Sequence, residues 1–198
     1  MKNRYHLFLI LAVLAVIIWS GINPYDRFDW WLEIAPIIIV TPILVFTYRK
    51  FPLSNLMYTM IAIHAVILAY GGHSTYALAP LGEWMKTAFG FTRNNYDKIG
   101  HFAQGFFPFV YTRELLLRTS PLKRGTWLAF ISVCVPLAAS ALYEIIEWWT
   151  SVLSGSAGDS FLGTQGYVWD TQSDMFLCFV GALFAIPLLT KLHDRSMK

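Results

Sequence analysis

The sequence predicts an all-α fold: a single polytopic membrane domain over residues 1–198, a bundle of six transmembrane helices with both termini cytoplasmic. Three observations predict it. Hydrophobic residues make up 56% of the chain and charged ones only 14%, against about 25% charged in a soluble domain, so lipid is the expected solvent. Six apolar runs approach the roughly 20 residues that a helix needs to cross a bilayer core. With the termini inside, eleven of the fifteen Lys and Arg residues fall on the inner side, and only Arg27, Lys86, Arg93 and Lys98 fall outside. Cytoplasmic loops carry that excess. The net charge of +3 sits in short clusters between apolar runs and offers no surface to nucleic acid, so membrane lipids are the expected partners.

The first run, about 6–22, has a basic head and an apolar core like a secretory leader. No small-x-small cleavage site follows, and the run is read as a retained span. The second, about 32–48, contains Pro36 and Pro42, which membrane helices tolerate because neighbours satisfy the freed carbonyls. The third, about 54–70, carries His64, with His73 just beyond its outer end. In the loop "APLGEWMKTAFGF", Leu81, Trp84, Met85, Ala88 and Phe89 recur at helical spacing. A short helix is expected there, either lying in the outer headgroup layer or packed on the domain's own outer loops.

Spans four, five and six are expected at about 98–117, 126–150 and 170–190. Seven of the eight tryptophans map to the outer interface, where an indole buries its ring and keeps its N–H wet; Trp127 alone maps to the inner one. Between spans five and six, "SGSAGDSFLGTQGYVWD" is rich in glycine and small polar residues. It is read as a lid over the helix ends, able to offer Asp159 and Ser160. Cys134 and Cys178 sit singly in apolar runs, with neither disulfide nor zinc spacing.

Polar residues gather at the outer ends of the spans. Asp97 and His101 are an i, i+4 pair opening span four, with Lys98 between them; Glu144 and Glu147 are an i, i+3 pair near the end of span five; Asp170 and Asp174 open span six. Such spacings put each pair on one helix face. Ionisable groups inside membrane helices are costly, face the interior and mark function. N-capping accounts for Asp97 and Asp170 on its own, but not for His101, Glu144, Glu147 and Asp174. His64 alone reads as a core histidine. The acidic surplus suits a divalent cation held by His101, Glu144, Glu147, Asp170 and Asp174. Asp97 would orient His101, and Lys98 would sit near a negative charge on the substrate. No G-x-S-x-G elbow or phosphate loop accompanies the cluster.

The stretches "YGGHSTYALAPLG", "RNNYDKIGHFAQGF", "YEIIEWW" and "FLGTQGYVWDTQSDM" resemble those of the YjdF-type bacterial inner-membrane proteins, a family of uncharacterised function. "DKIGHF" is similar, over a shorter length, to the start of VanZ-like membrane domains. The resemblance implies a plasma-membrane location and supplies neither a reaction nor catalytic residues. From the carboxylate and histidine cluster at the outer face, the expected function is that of a metal-dependent membrane enzyme acting on a lipid or envelope substrate. The alternatives are a small ion-coupled transporter and a non-catalytic partner whose polar cluster only locks the bundle.

Overall fold

The computed structural model describes residues 2–154 and 164–197, and the described chain is helical with no strand. In chain order the helices are α1 (Lys2–Gly21), α2 (Arg27–Thr47), α3 (Asn55–His73), α4 (Pro80–Phe89), α5 (Tyr96–Thr119), α6 (Thr126–Ser154) and α7 (Asp170–Ser196). Every expected span coincides with a helix, and α4 is the short helix expected after span three. Pro80 opens α4, and Gly90 closes it in the left-handed region at φ 68°, its N–H donating to the Lys86 carbonyl. Five helices, α1, α2, α3, α6 and α7, are long and apolar enough to cross a membrane. Helix α5 is as long, but it carries Asp97, Lys98, Arg113, Glu114 and Arg118. The lid expected around Asp159 and Ser160 lies outside the described residues.

Helix α2 begins five residues before the expected start at 32, for a local reason. Asp26 takes the N-cap position, and its Oδ1 accepts from Phe28 N at 2.8 Å and Asp29 N at 3.0 Å, satisfying two of the amides that a helix start leaves orphaned. Replacing Asp26 by Ala is expected to cost about 1 kcal/mol, read as a lower melting temperature of the detergent-purified protein. An unchanged melt would show that the cap contributes nothing.

The chain forms two compact units. The first comprises Met1–Pro52, Ala65–Gly100 and Ile145–Val168; the second comprises Leu53–His64, His101–Glu144 and Trp169–Lys198. In the first unit, Trp30, Ile34 and Ile37 of α2 pack with Ala65 and Ala69 of α3, flanked by Val13, Val16 and Ile17 of α1. In the second, Phe109 and Val110 of α5 pack with Val133 of α6 and with Ala182, Ala185 and Leu189 of α7.

Helices α5 and α7 come unusually close in the second unit. A Cβ on Gly105 would fall within 3.0 Å of the Cys178 carbonyl oxygen, and one on Gly181 within 3.0 Å of the Phe102 carbonyl oxygen. Each helix thus places a glycine against the other's backbone, the small-residue contact by which helices associate in lipid. Polarity is arranged as lipid demands. Asp29, Glu114, Glu144 and Asp174 are buried, whereas Phe46, Trp127, Leu153 and Leu188 are exposed.

Candidate functional site

In the second unit, one imidazole nitrogen faces two carboxylates from two other helices. His101 Nε2 of α5 lies 3.8 Å from Glu144 Oε1 of α6 and 3.8 Å from Asp174 Oδ2 of α7. Glu144 is 5% exposed and Asp174 4%, so both acids are withdrawn from solvent. The glycine contact sets this geometry: Gly105 follows His101 by one turn, and Cys178, whose carbonyl it meets, follows Asp174 by one turn. Gln104 Oε1 lies 3.1 Å from His101 Nδ1. A hydrogen bond there puts the proton on Nδ1 and leaves Nε2 as a lone-pair donor towards the acids.

A separation of 3.8 Å is too long for a hydrogen bond. It is shorter than the span of about 4.2 Å across an ion whose bonds are about 2.1 Å each. Each carboxylate oxygen could therefore share one ion with His101 Nε2. Asp170, also buried, adds an oxygen within 4.8 Å of one from Asp174. One imidazole with carboxylates suits manganese, iron or zinc.

The other expected site residues, Asp97, Lys98 and Glu147, belong to the first unit. Asp97 is held there by two cations, Arg93 Nη2 at 2.9 Å and Lys98 Nζ at 3.4 Å. Arg93 also donates to the Thr164 carbonyl at 2.7 Å and lies 5.0 Å from the centre of the Tyr167 ring. Just before α5, Asn94 Oδ1 accepts from Tyr96 N at 3.0 Å, and within the first turn Asp97 Oδ1 accepts from Lys98 N at 2.8 Å. At α7, Trp169 occupies the cap position and Asp170 is the first helical residue. Glu147 is buried near the end of α6.

The remaining histidines have structural settings. His64 lies beside Phe107 and Tyr111 in the second unit, with ring centroids 5.8 and 6.4 Å away. His73 is within 3.0 Å of the Ser20 carbonyl through Nδ1 and packs on Trp19 in the first unit.

Two polar groups escaped the sequence reading. At the far ends of α5 and α7, Glu114 and His193 are buried together with Arg113 and Ser54. His193 Nε2 is 3.1 Å from Glu114 Oε2, and Arg113 Nη1 is 2.6 Å from His193 Nδ1. A guanidinium only donates, so Nδ1 accepts and the imidazole proton sits on Nε2, pointing at the carboxylate. In the first unit, α2 buries Asp29 and Glu33, one turn apart.

Known proteins match the chain over most of its length. A family model described as "Predicted membrane protein (DUF2238)" matches residues 5–195. The "Inner membrane protein YjdF" of Escherichia coli (strain K12) is 44% identical over 188 residues, covering 95% of this chain and 90% of that protein. No solved structure matches.

Proposed function

This chain belongs to the DUF2238 family of predicted membrane proteins, and from that premise we propose that it is an inner-membrane enzyme using a divalent metal ion held by His101, Glu144 and Asp174. Asp170 is the further oxygen donor. Its multi-pass membrane character rests on the apolar helices and on the family.

In this reading α5 is the sixth crossing. Its charges sit at its two ends, Asp97 and Lys98 at one and Arg113, Glu114 and Arg118 at the other, with an uncharged stretch between. Six crossings and the skew of basic residues support cytoplasmic termini, with the His101 end of α5 outside. Helix α4 suits the outer headgroup layer, since Trp84 and Phe89 are exposed while Glu83 and Lys86 pair at 3.0 Å.

One observation carries the proposal: His101 Nε2 stands equidistant from two buried carboxylate oxygens, at a spacing an ion spans and a hydrogen bond does not. A metal there would polarise a phosphoryl or acyl oxygen, or lower the pKa of a bound water. A site near the outer ends of membrane helices favours a lipid or other envelope substrate that enters from the bilayer.

The test is element-resolved metal analysis of protein purified without chelators, beside His101→Ala and Asp174→Asn. The parent is expected to hold about one equivalent of metal per chain more than either variant. A well-folded parent that holds no metal overturns the proposal. So does uptake of a labelled ion into proteoliposomes that Glu144→Gln abolishes, which would identify a carrier.

A further inference from the structure

The first unit contains a polar site separate from His101, Glu144 and Asp174. Asp29 and Glu33 follow one another at i, i+4 on α2, and both are buried, Asp29 to 1% exposure and Glu33 to 7%. Both carboxylate oxygens of Asp29 are shut off from solvent without a hydrogen-bond partner among the described residues. Glu33 is hydrogen-bonded by Tyr76. Among the described residues, no Lys, Arg or His forms an ion pair with either acid. The neighbouring cation, Arg27, is engaged elsewhere, donating to the Gly21 carbonyl at 2.7 Å and lying 5.4 Å from the centre of the Trp30 ring.

The surroundings are built for these side chains. A Cβ on Gly72 would come 2.9 Å from Glu33 Cβ, so the glycine lets the acid lie directly on α3. Gly71 and Gly100 leave the space that the Tyr76 ring fills, since a Cβ on either would overlap it. Three glycines therefore make room for one acid and the phenol that reaches it. Two unneutralised carboxylates in such a setting are strongly unfavourable. The positive end of the helix dipole, confined to the first turn, offsets little of that cost.

We infer that Asp29 and Glu33, with Tyr76 supporting Glu33, bind a single hard divalent cation of the magnesium, calcium or manganese class. Two carboxylates match the charge of one such ion, and the i, i+4 spacing lets both reach it from one helix face. The donor set is all oxygen, the preference of hard cations. It contrasts with the imidazole-containing set around His101.

The probe is Mn²⁺ bound by the full-length protein in detergent, followed by electron paramagnetic resonance in a His101→Ala background that silences the other site. One bound ion per chain is expected there. It should be lost in Asp29→Asn and in Glu33→Gln, and weakened about tenfold in Tyr76→Phe, as for removal of an outer-sphere partner. These near-isosteric changes keep the packing, and size-exclusion profiles matching the parent check the fold. Mn²⁺ binding that survives Asp29→Asn and Glu33→Gln overturns the inference, as does a His101→Ala protein that binds none. A protonated-carboxyl band in the infrared spectrum that persists with saturating Mn²⁺ and disappears in Asp29→Asn also overturns it, because protons would then neutralise the pair.

Discussion

Gly105→Val is expected to destabilise the protein by about 3 kcal/mol or more, above the usual range for overpacking. Most overpacking is relieved by rotating a flexible side chain, but here the obstacle is backbone. A Cβ at position 105 meets the Cys178 carbonyl oxygen, and the next nearest atoms include the Ala182 amide nitrogen. Cys178 and Ala182 are themselves fully buried, so α7 has no slack to yield. Relief requires α5 and α7 to move apart. That movement would also lengthen the 3.8 Å separation between His101 and Asp174, one turn from the contact on each helix. Two readouts should therefore change together: a large drop in melting temperature and a loss of bound metal from the His101 site. Gly105→Ala should show the same pair of effects at smaller amplitude. A Gly105→Val protein that melts with the parent would disprove the close approach and, with it, the account of what spaces the site.

Much of this architecture was legible because lipid imposes simple rules. Apolar run length anticipated every long helix, and helical spacing anticipated α4. Three i, i+3 and i, i+4 pairs pointed to His101, Glu144 and Asp174, which do come together. The failures also have physical causes. The start of α2 was set too late because hydropathy locates the apolar stretch, whereas the Asp26 cap begins the helix before it. Asp29 and Glu33 were therefore assigned to a loop and a span edge and escaped notice. The spacing of Asp26 to Asp29, a cap followed by an acid at the third helical position, was the available signal. His193 escaped the sequence reading because its partners, Glu114 and Arg113, lie 79 and 80 positions away.

That long-range cluster gives the second large effect. Glu114→Ala is expected to destabilise the protein by about 3–5 kcal/mol, the range for removing one member of a buried charged network. Glu114 accepts from Ser54 N at 2.7 Å, from Ser54 Oγ at 2.5 Å, from Arg118 Nη1 at 3.1 Å and from His193 Nε2 at 3.1 Å. Ser54 in turn caps α3, its Oγ accepting from Met57 N at 3.1 Å. One carboxylate thus ties the start of α3 to the ends of α5 and α7. Without it, Arg113, 3% exposed, keeps a buried positive charge balanced, among the described residues, only by Asp194, which it shares with Arg124. The Ser54 amide and the His193 Nε2–H would both be orphaned. Glu114→Gln preserves the shape but replaces one acceptor oxygen with a donor among donors, so it should recover only part of the loss. A double-mutant cycle with His193→Ala should give a coupling of about 1–3 kcal/mol, because the proton on Nε2 has no other acceptor among the described residues. If Glu114→Ala costs under about 1 kcal/mol, in the range of an exposed pair, water reaches the network. Arg113 and His193 would then have to be solvated in place, and the helix ends would not be joined by this carboxylate.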